Sequence, residues 1–387
     1  MSLPSLSPSK RSAVEPFLAM DVLSSARALE AAGRSIIHME VGQPGAPAPT
    51  RVLDAAREAL ADGRLGYTEA RGLERFRRRI SRHYADTYGV EVPEARVLAT
   101  TGSSAAFNLT FLAAFDPGDR IALAAPGYPA YRNILTALGL EAVEIPVGPE
   151  TRWALTPDHV EAAHRQRPLK GVLVASPGNP TGTMMTPEAL GALVEASRAL
   201  GLWFISDEIY HGLVYQGRQE TALTFSDDVI VINSFSKYYC MTGWRIGWMI
   251  APEVLVRPME RIAQSLYISP PDLSQRAAIA AFDATDELDR VKAGYAANRA
   301  LLLHRLPAIG FDELLPVDGA FYVYASIRRF SNDALDFSRR MLVEAGVAAT
   351  PGPDFDHQRG NGYIRFSFAG TGADMEEAMT RLQTWLV

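Results

Sequence analysis

A single cysteine among 387 residues, Cys240, excludes an internal disulfide and suits a reducing compartment. No apolar run reaches the length of a membrane-spanning helix, and Met1 to Ala32 lacks the apolar core of a signal peptide, so the sequence reads as cytoplasmic. Excess positive charge is missing as well. The 38 basic and 44 acidic residues are interspersed and leave a formal net charge of -6, which offers no electrostatic footprint to nucleic acid or an anionic membrane. The one basic cluster, "RFRRRISRH" from Arg75 to His83, has apolar residues at Phe76 and Ile80, the spacing of a helix with a solvated basic face. Metal-ligand spacing is absent among the seven histidines, so no metal is expected, and Cys240 reads as a packing residue. Low-complexity sequence is confined to the opening "MSLPSLSPSKRS", read as a mobile arm.

What is present is ordinary globular composition, 48% hydrophobic and 21% charged, in a chain long enough for one large and one smaller domain. Met20 to Leu29 has helical apolar spacing, Gly33 suits the end of that helix, and "SIIHMEV" reads as a strand entering the loop "GQPGAPAPT". The runs "RVLATT", "RIALAAP", "EAVEIPV", "GVLVASP", "LWFISDE", "VIVINSF" and "GWMIAP" follow. Helical patterns separate them, at Ser104 to Ala114, Tyr131 to Leu138, Thr156 to His164 and Thr186 to Leu200. Nearly all-apolar strands separated by helices predict an α/β fold with a largely parallel sheet covered on both faces. Past Phe282 a long helix, a strand "AFYVYAS", a helix from Asp333 to Glu344, a strand "YIRFSFA" and a last helix predict a smaller α+β domain completed by the N-terminal segment. The expected division is 1–45 for the arm and part of the small domain, 46–282 for the large domain, and 283–387 for the rest of the small one.

In such sheets chemistry gathers at the carboxyl ends of the strands. After "RVLATT" comes Gly102-Ser103-Ser104 at a helix start, where unpaired amides and the helix dipole suit an anion, although serine there is commonly only a cap. Tyr128 sits in a Gly/Pro turn, able to cover a flat ligand or simply to pack. Asn179 lies in "SPGNPTG", whose residues also suit a plain tight turn. Asp207 leaves an apolar run beside Glu208, with Tyr210 close behind; a carboxylate there needs a cation or hydrogen bonds, or serves as a helix cap. "NSFSKYYCMTGWRIGW" brings Ser234, Ser236, Lys237 and Arg245, and "GYIRFSFAG" puts Arg365 into an apolar strand, where its fork suits a carboxylate from a ligand or an ion pair. One ligand satisfies all of these residues together. It is flat for Tyr128, carries a phosphate for the serines and Arg245, holds a ring nitrogen for Asp207 and offers an aldehyde to Lys237, which describes pyridoxal 5′-phosphate.

At these residues the chain resembles the fold-type I pyridoxal-phosphate enzymes and, within them, the class I aminotransferases of the bacterial aspartate, aromatic and alanine branch. The likeness runs from "HMEVGQP" through "GYTEARGLERFRRRI", "SPGNPTG", "SDEIY" and "SFSKYYCMTGWRIGW" to "IRFSFAG". It implies a seven-stranded, largely parallel sheet and a ping-pong transfer of an amino group from an L-amino acid to a 2-oxo acid. Lys237 is then the Schiff-base lysine, Asp207 the partner of the ring nitrogen, Asn179 and Tyr210 the contacts of the ring hydroxyl, and Tyr128 the cover of the ring face. The resemblance assigns the phosphate to Ser103, Ser104, Ser234, Ser236 and Arg245, and the substrate carboxylate to Arg365, Asn179 and the backbone at Gly42. Tyr67 matches a tyrosine that reaches the neighbouring subunit's phosphate, which implies a homodimer with shared active sites. Gln264 stands where aspartate-specific relatives carry an arginine, and Asp356 stands where many have glycine. A C–S lyase or decarboxylase on the same cofactor is the enzymatic alternative. Retention of Lys237 weighs against a non-catalytic module that senses the cofactor or an amino acid.

Overall fold

The computed structural model describes residues 6–311 and 313–387. The arm expected over residues 1–12 therefore lies partly outside the described residues; its remainder holds one short turn, Lys10–Ser12. The first helix is α1, Leu18–Ala31, and it leads to β1, Ile37–His38.

All seven expected apolar runs form strands: β2 (Val97–Thr100), β3 (Arg120–Ala125), β4 (Glu141–Pro146), β5 (Gly171–Ala175), β6 (Trp203–Asp207), β7 (Ile230–Ser234) and β8 (Gly247–Ile250). They make one sheet in the order β2-β8-β7-β6-β5-β3-β4. Its neighbours pair in parallel except β8, which runs against both β7 and β2. Burial explains the composition. Every residue of β2, β7 and β8 is buried, whereas the edge strand β4 is partly exposed along its length and admits the charged Glu141 and Glu144.

The helices obey their local signals. Thr156 and Thr186 accept amide hydrogens from His159 and Ala189 as N-caps, each followed by proline at the first helical position. The basic stretch falls in a helix, Glu74–Tyr88, with Phe76, Ile80 and Tyr84 buried. One expectation is corrected there: Arg77 is buried rather than solvated, because its guanidinium satisfies the Gly72 and Glu94 carbonyls at 3.2 and 3.1 Å.

A second core gathers the C-terminal part. The strands β9 (Tyr322–Ser326), β10 (Val347–Ala348), β11 (Thr350–Pro351) and β12 (Tyr363–Ser367) join the helices Thr285–Ile309 and Gly372–Leu386. There β11-β12-β9 form an antiparallel sheet, and β1 pairs in parallel with β10, so the N-terminal segment is built into this part of the molecule. The helix expected from Asp333 to Glu344 divides into Ala334–Arg340, capped by Asp333, and a wider turn, Met341–Ala345. The strand expected over "SIIHMEV" is only two residues long, since the chain then turns the carbonyls of Glu40 and Gly42 toward Arg365 and Lys237. No helix among the described residues is long and apolar enough to cross a membrane.

Candidate active site

Strand direction gathers the site. The carboxyl ends of β2, β3, β5, β6 and β7 lie along one edge of the sheet, and the antiparallel β8 starts there. The segments at that edge surround a cavity of about 350 Å³. Of the residues singled out in the sequence, it is lined by Gly42, Ser103, Ser104, Tyr128, Asn179, Asp207, Tyr210, Ser236, Lys237, Arg245 and Arg365. Two of those assigned to the cofactor, Ser234 and Tyr67, are not on its wall. Ser234 lies behind it, its hydroxyl bonded to Ile246 O at 3.1 Å and to Ser236 Oγ at 2.8 Å, so that it orients Ser236. Tyr67 stands outside the cavity with 84% of its surface exposed.

At the start of the helix Gly102–Ala114 the serines do not cap: the cap position is Thr101, and its side chain makes no cap bond. The first-turn amides are thereby left to the cavity, with Ser103 and Ser104 beside them. Gly102 has φ +72°, and a side chain on it would collide with the Arg245 guanidinium, so glycine lets this cation lie against the helix start. Amides, hydroxyls and a guanidinium converge there without a carboxylate among them, which is the donor set for a phosphate.

Asp207, at the end of β6, is almost fully buried. Tyr131 donates to its Oδ2 at 2.5 Å and the Ile209 amide to its Oδ1 at 3.0 Å. Burial pushes its carboxyl up to about 6, while Tyr131, the Ile209 amide and the charge of Lys237 pull it back down. A buried carboxylate so held favours a cation beside it, the environment that keeps a ring nitrogen protonated.

Lys237 stands in a loop pinned from beneath. Phe235 packs against Tyr239, Trp248 and Phe282 at centroid distances of 4.8, 5.0 and 5.2 Å, and the Met241 amide returns to Phe235 O. The aromatics around the lysine are thus the core that fixes its backbone. Cys240, also buried, belongs to this core, and burial pushes its thiol up to about 11, away from reactivity. Lys237 Nζ donates to Gly42 O at 2.5 Å. Burial brings its ammonium down to about 8, helped by the charges of Arg365 and Arg245 and opposed by Asp207. The shift enlarges the share of neutral amine near neutral pH, the form a nucleophile or base requires.

Arg365, in the middle of β12, donates through Nη1 to Asn179 Oδ1 at 2.9 Å and through Nη2 to Glu40 O and to Thr350 Oγ1 at 3.2 Å. Its guanidinium lies over the rings of Tyr322 and Phe355, at 4.4 and 4.8 Å from their centroids. Nε is buried without a partner, and no carboxylate pairs with the group among the described residues. An arginine held this way is ready for an anionic ligand.

Sequence reading missed three tyrosine contacts. Tyr131 holds Asp207, Tyr322 hydrogen-bonds Tyr210 Oη at 2.8 Å, and the Tyr322 ring also supports Arg365. Tyr131 follows Tyr128 by three residues at a strand's carboxyl end, a signal that existed; Tyr322 alternates in a buried strand and reads simply as core.

A phosphate-type anion cradle, a deeply buried aspartate, an amine of lowered basicity and a free arginine fit pyridoxal 5′-phosphate with an amino acid beside it, and on this sheet they define a fold-type I pyridoxal-phosphate enzyme. Residues 34–382 match the family Aminotransferase class I and II, and the chain belongs to that family. It is 48% identical over 380 residues to valine–pyruvate aminotransferase of Mycobacterium tuberculosis, covering 97% of each chain. A crystal structure of an aminotransferase from the same organism matches with a TM-score of 0.97 at 47% identity, over 99% of both chains. The aspartate aminotransferase of Thermus thermophilus with maleate matches with a TM-score of 0.92 at 29% identity, over 98% of this chain and 100% of that one. The protein is a pyridoxal-phosphate-dependent transferase of amino groups, as its sequence led us to expect.

Proposed function

We propose that this aminotransferase takes an L-amino acid with an aliphatic side chain as donor and a monocarboxylic 2-oxo acid as acceptor. The carrying observation is the wall near Arg365, where Phe17, Met20, Val41 and Phe355 present apolar surface to the cavity. Gln264 is exposed on the helix Glu253–Leu266 and lies outside the cavity lining. The 48% identical relative, named for valine and pyruvate, supports the same donor class.

When bound, pyridoxal phosphate supplies the carbonyl that receives the amino group and the electron sink that acidifies the substrate Cα. The residues assigned to it are Ser103, Ser104, Ser236 and Arg245 for the phosphate, Asp207 for the ring nitrogen, Tyr210 and Asn179 for the ring hydroxyl, Tyr128 for the ring face and Lys237 for the carbonyl. Arg365 holds the substrate carboxylate and so fixes which bond at Cα faces Lys237. With its basicity lowered by burial and by the charges of Arg365 and Arg245, Lys237 is suited to take a proton at Cα and return it on the other side of the transfer. Tyr131 keeps Asp207 ionised meanwhile.

Two further parts belong to this reading. Exposed Tyr67, outside its own cavity, fits a homodimer in which it reaches the neighbouring site, and the single buried Cys240 fits the cytoplasm. The donor class is tested by mixing holoenzyme with single L-amino acids without acceptor and following the cofactor spectrum and the 2-oxo acid released. Faster conversion by valine, alanine or leucine than by aspartate or glutamate is expected; the reverse order overturns the donor reading. Ammonia, thiol or carbon dioxide in place of 2-oxo acid would overturn the transamination cycle itself.

A further inference from the structure

The cavity contains an anion that neither the cofactor nor the substrate carboxylate calls for. Asp354, in the turn Gly352–Asp354 that leads to Phe355, lines the same cavity as Arg365 and is 2% exposed. Its Oδ1 accepts from the Leu18 amide at 3.0 Å and its Oδ2 from the Ala19 amide at 3.4 Å, at the first turn of α1. That helix has no cap of its own, since Phe17 occupies the cap position. Phe17 and Met20, apolar residues of the substrate wall, are thereby held in place by a carboxylate from the far end of the chain.

Burial raises the Asp354 carboxyl above the ordinary aspartate range, while the Leu18 and Ala19 amides and the charges of Arg365 and Arg132 draw it back toward the ionised form. Arg132 spends Nη2 on the Asp354 carbonyl at 2.9 Å and pairs with Glu15 and Glu144, and no salt bridge to the Asp354 side chain exists among the described residues. Backbone amides favour the ionised form they bond to without neutralising its field. The Gly127 amide donates to Phe355 O at 3.0 Å, so the loop is fastened to the turn bearing Tyr128 as well as to α1. An aliphatic side chain entering beside Phe17 meets apolar surface. A second carboxylate entering there meets a like charge in a partly desolvated space.

We infer that Asp354 is a specificity-determining residue of this site, admitting aliphatic donors and rejecting dicarboxylic ones by its charge while its bonds to α1 shape the apolar wall. This rests on the donor class proposed above. The test compares holoenzyme forms of wild type, Asp354→Asn and Asp354→Ser. Both variants remove the charge and keep an oxygen for an α1 amide, so either one suffices if the other fails to fold. Half-reaction kcat/KM is measured for valine and for glutamate. The valine-to-glutamate ratio is expected to fall by about tenfold or more, chiefly through a lower KM for glutamate. A ratio within about twofold of wild type, with both donors slowed alike, would reduce Asp354 to a helix cap and overturn the inference. Failure of the donor reading is visible separately, in wild type alone, as faster turnover of glutamate than of valine.

Discussion

Tyr131 donates its hydroxyl to Asp207 Oδ2 across 2.5 Å, and both residues are buried. The bond stabilises the ionised carboxylate against burial, which has already pushed Asp207 up to about 6. Tyr131→Phe removes the donor and keeps the ring. The pKa of Asp207 then rises further, and the acid limb of the kcat/KM profile moves to higher pH. A hydrogen bond to a charged group contributes about 1.5–3 kcal/mol, so activity near pH 6 should fall at least about tenfold, with a smaller loss at alkaline pH. A uniform loss across the profile would show that Tyr131 only packs.

Glu208, next along the chain, has the opposite fate. Its Oε1 accepts from Ser206, Thr221 and the Ala222 amide, while Oε2 is buried without a hydrogen-bond partner, 3.6 Å from His211 Nδ1. Burial pushes its carboxyl up to about 8 against those three bonds. A carboxyl whose folded pKa exceeds its unfolded value contributes stability at low pH that is lost as pH rises from about 4.5 to about 8, because the unfolded chain ionises first. Glu208→Gln should therefore be more stable than wild type at pH 8, by about 1–3 kcal/mol, and no more stable at pH 4.5. Urea unfolding at the two pH values decides it; an equal difference at both would show that the carboxyl is not held protonated in the fold.

These neighbours also mark what sequence reading reaches. An apolar run ending in Asp-Glu announces a carboxylate at a strand's carboxyl end, and Asp207 was legible on that ground. Which oxygen meets Tyr131, and that Glu208 turns toward Thr221, depends on elements 76 and 13 residues away, which no local pattern encodes. The seven strands were legible because each is an apolar run between helical repeats. The two-residue β1 was overread, since "SIIHMEV" is equally apolar where the chain has already turned its carbonyls toward Arg365 and Lys237. Buried Arg77 was invisible for a related reason: its partners are carbonyls, and carbonyls leave no trace in side-chain patterning.

Arg365 owes its place to a backbone carbonyl, an amide oxygen, a hydroxyl and two aromatic rings, none of which neutralises it. Arg365→Lys keeps the charge but loses the fork that spans Asn179 and Glu40. A hydrogen bond to a charged group contributes about 1.5–3 kcal/mol, so with one arm of the fork lost kcat/KM for the amino acid should fall at least about tenfold. KM should rise while the cofactor spectrum stays that of wild type. A lysine variant with unchanged KM would remove Arg365 from carboxylate binding.

The proposed shared-site dimer yields a complementation test. Lys237→Ala removes the proposed base and should lower turnover by about 10²–10⁴-fold or more, whereas Tyr67→Ala removes a side chain that is 84% exposed in its own protomer. If Tyr67 serves the opposite site, a mixed dimer of the two variants contains one site with both residues intact, and one with neither. Random reassortment of equal amounts makes half the dimers mixed, so activity should recover to about a quarter of wild type. Activity equal to the mean of the two separate variants would instead place Tyr67 in the service of its own protomer, and sedimentation as a monomer would remove the shared site altogether.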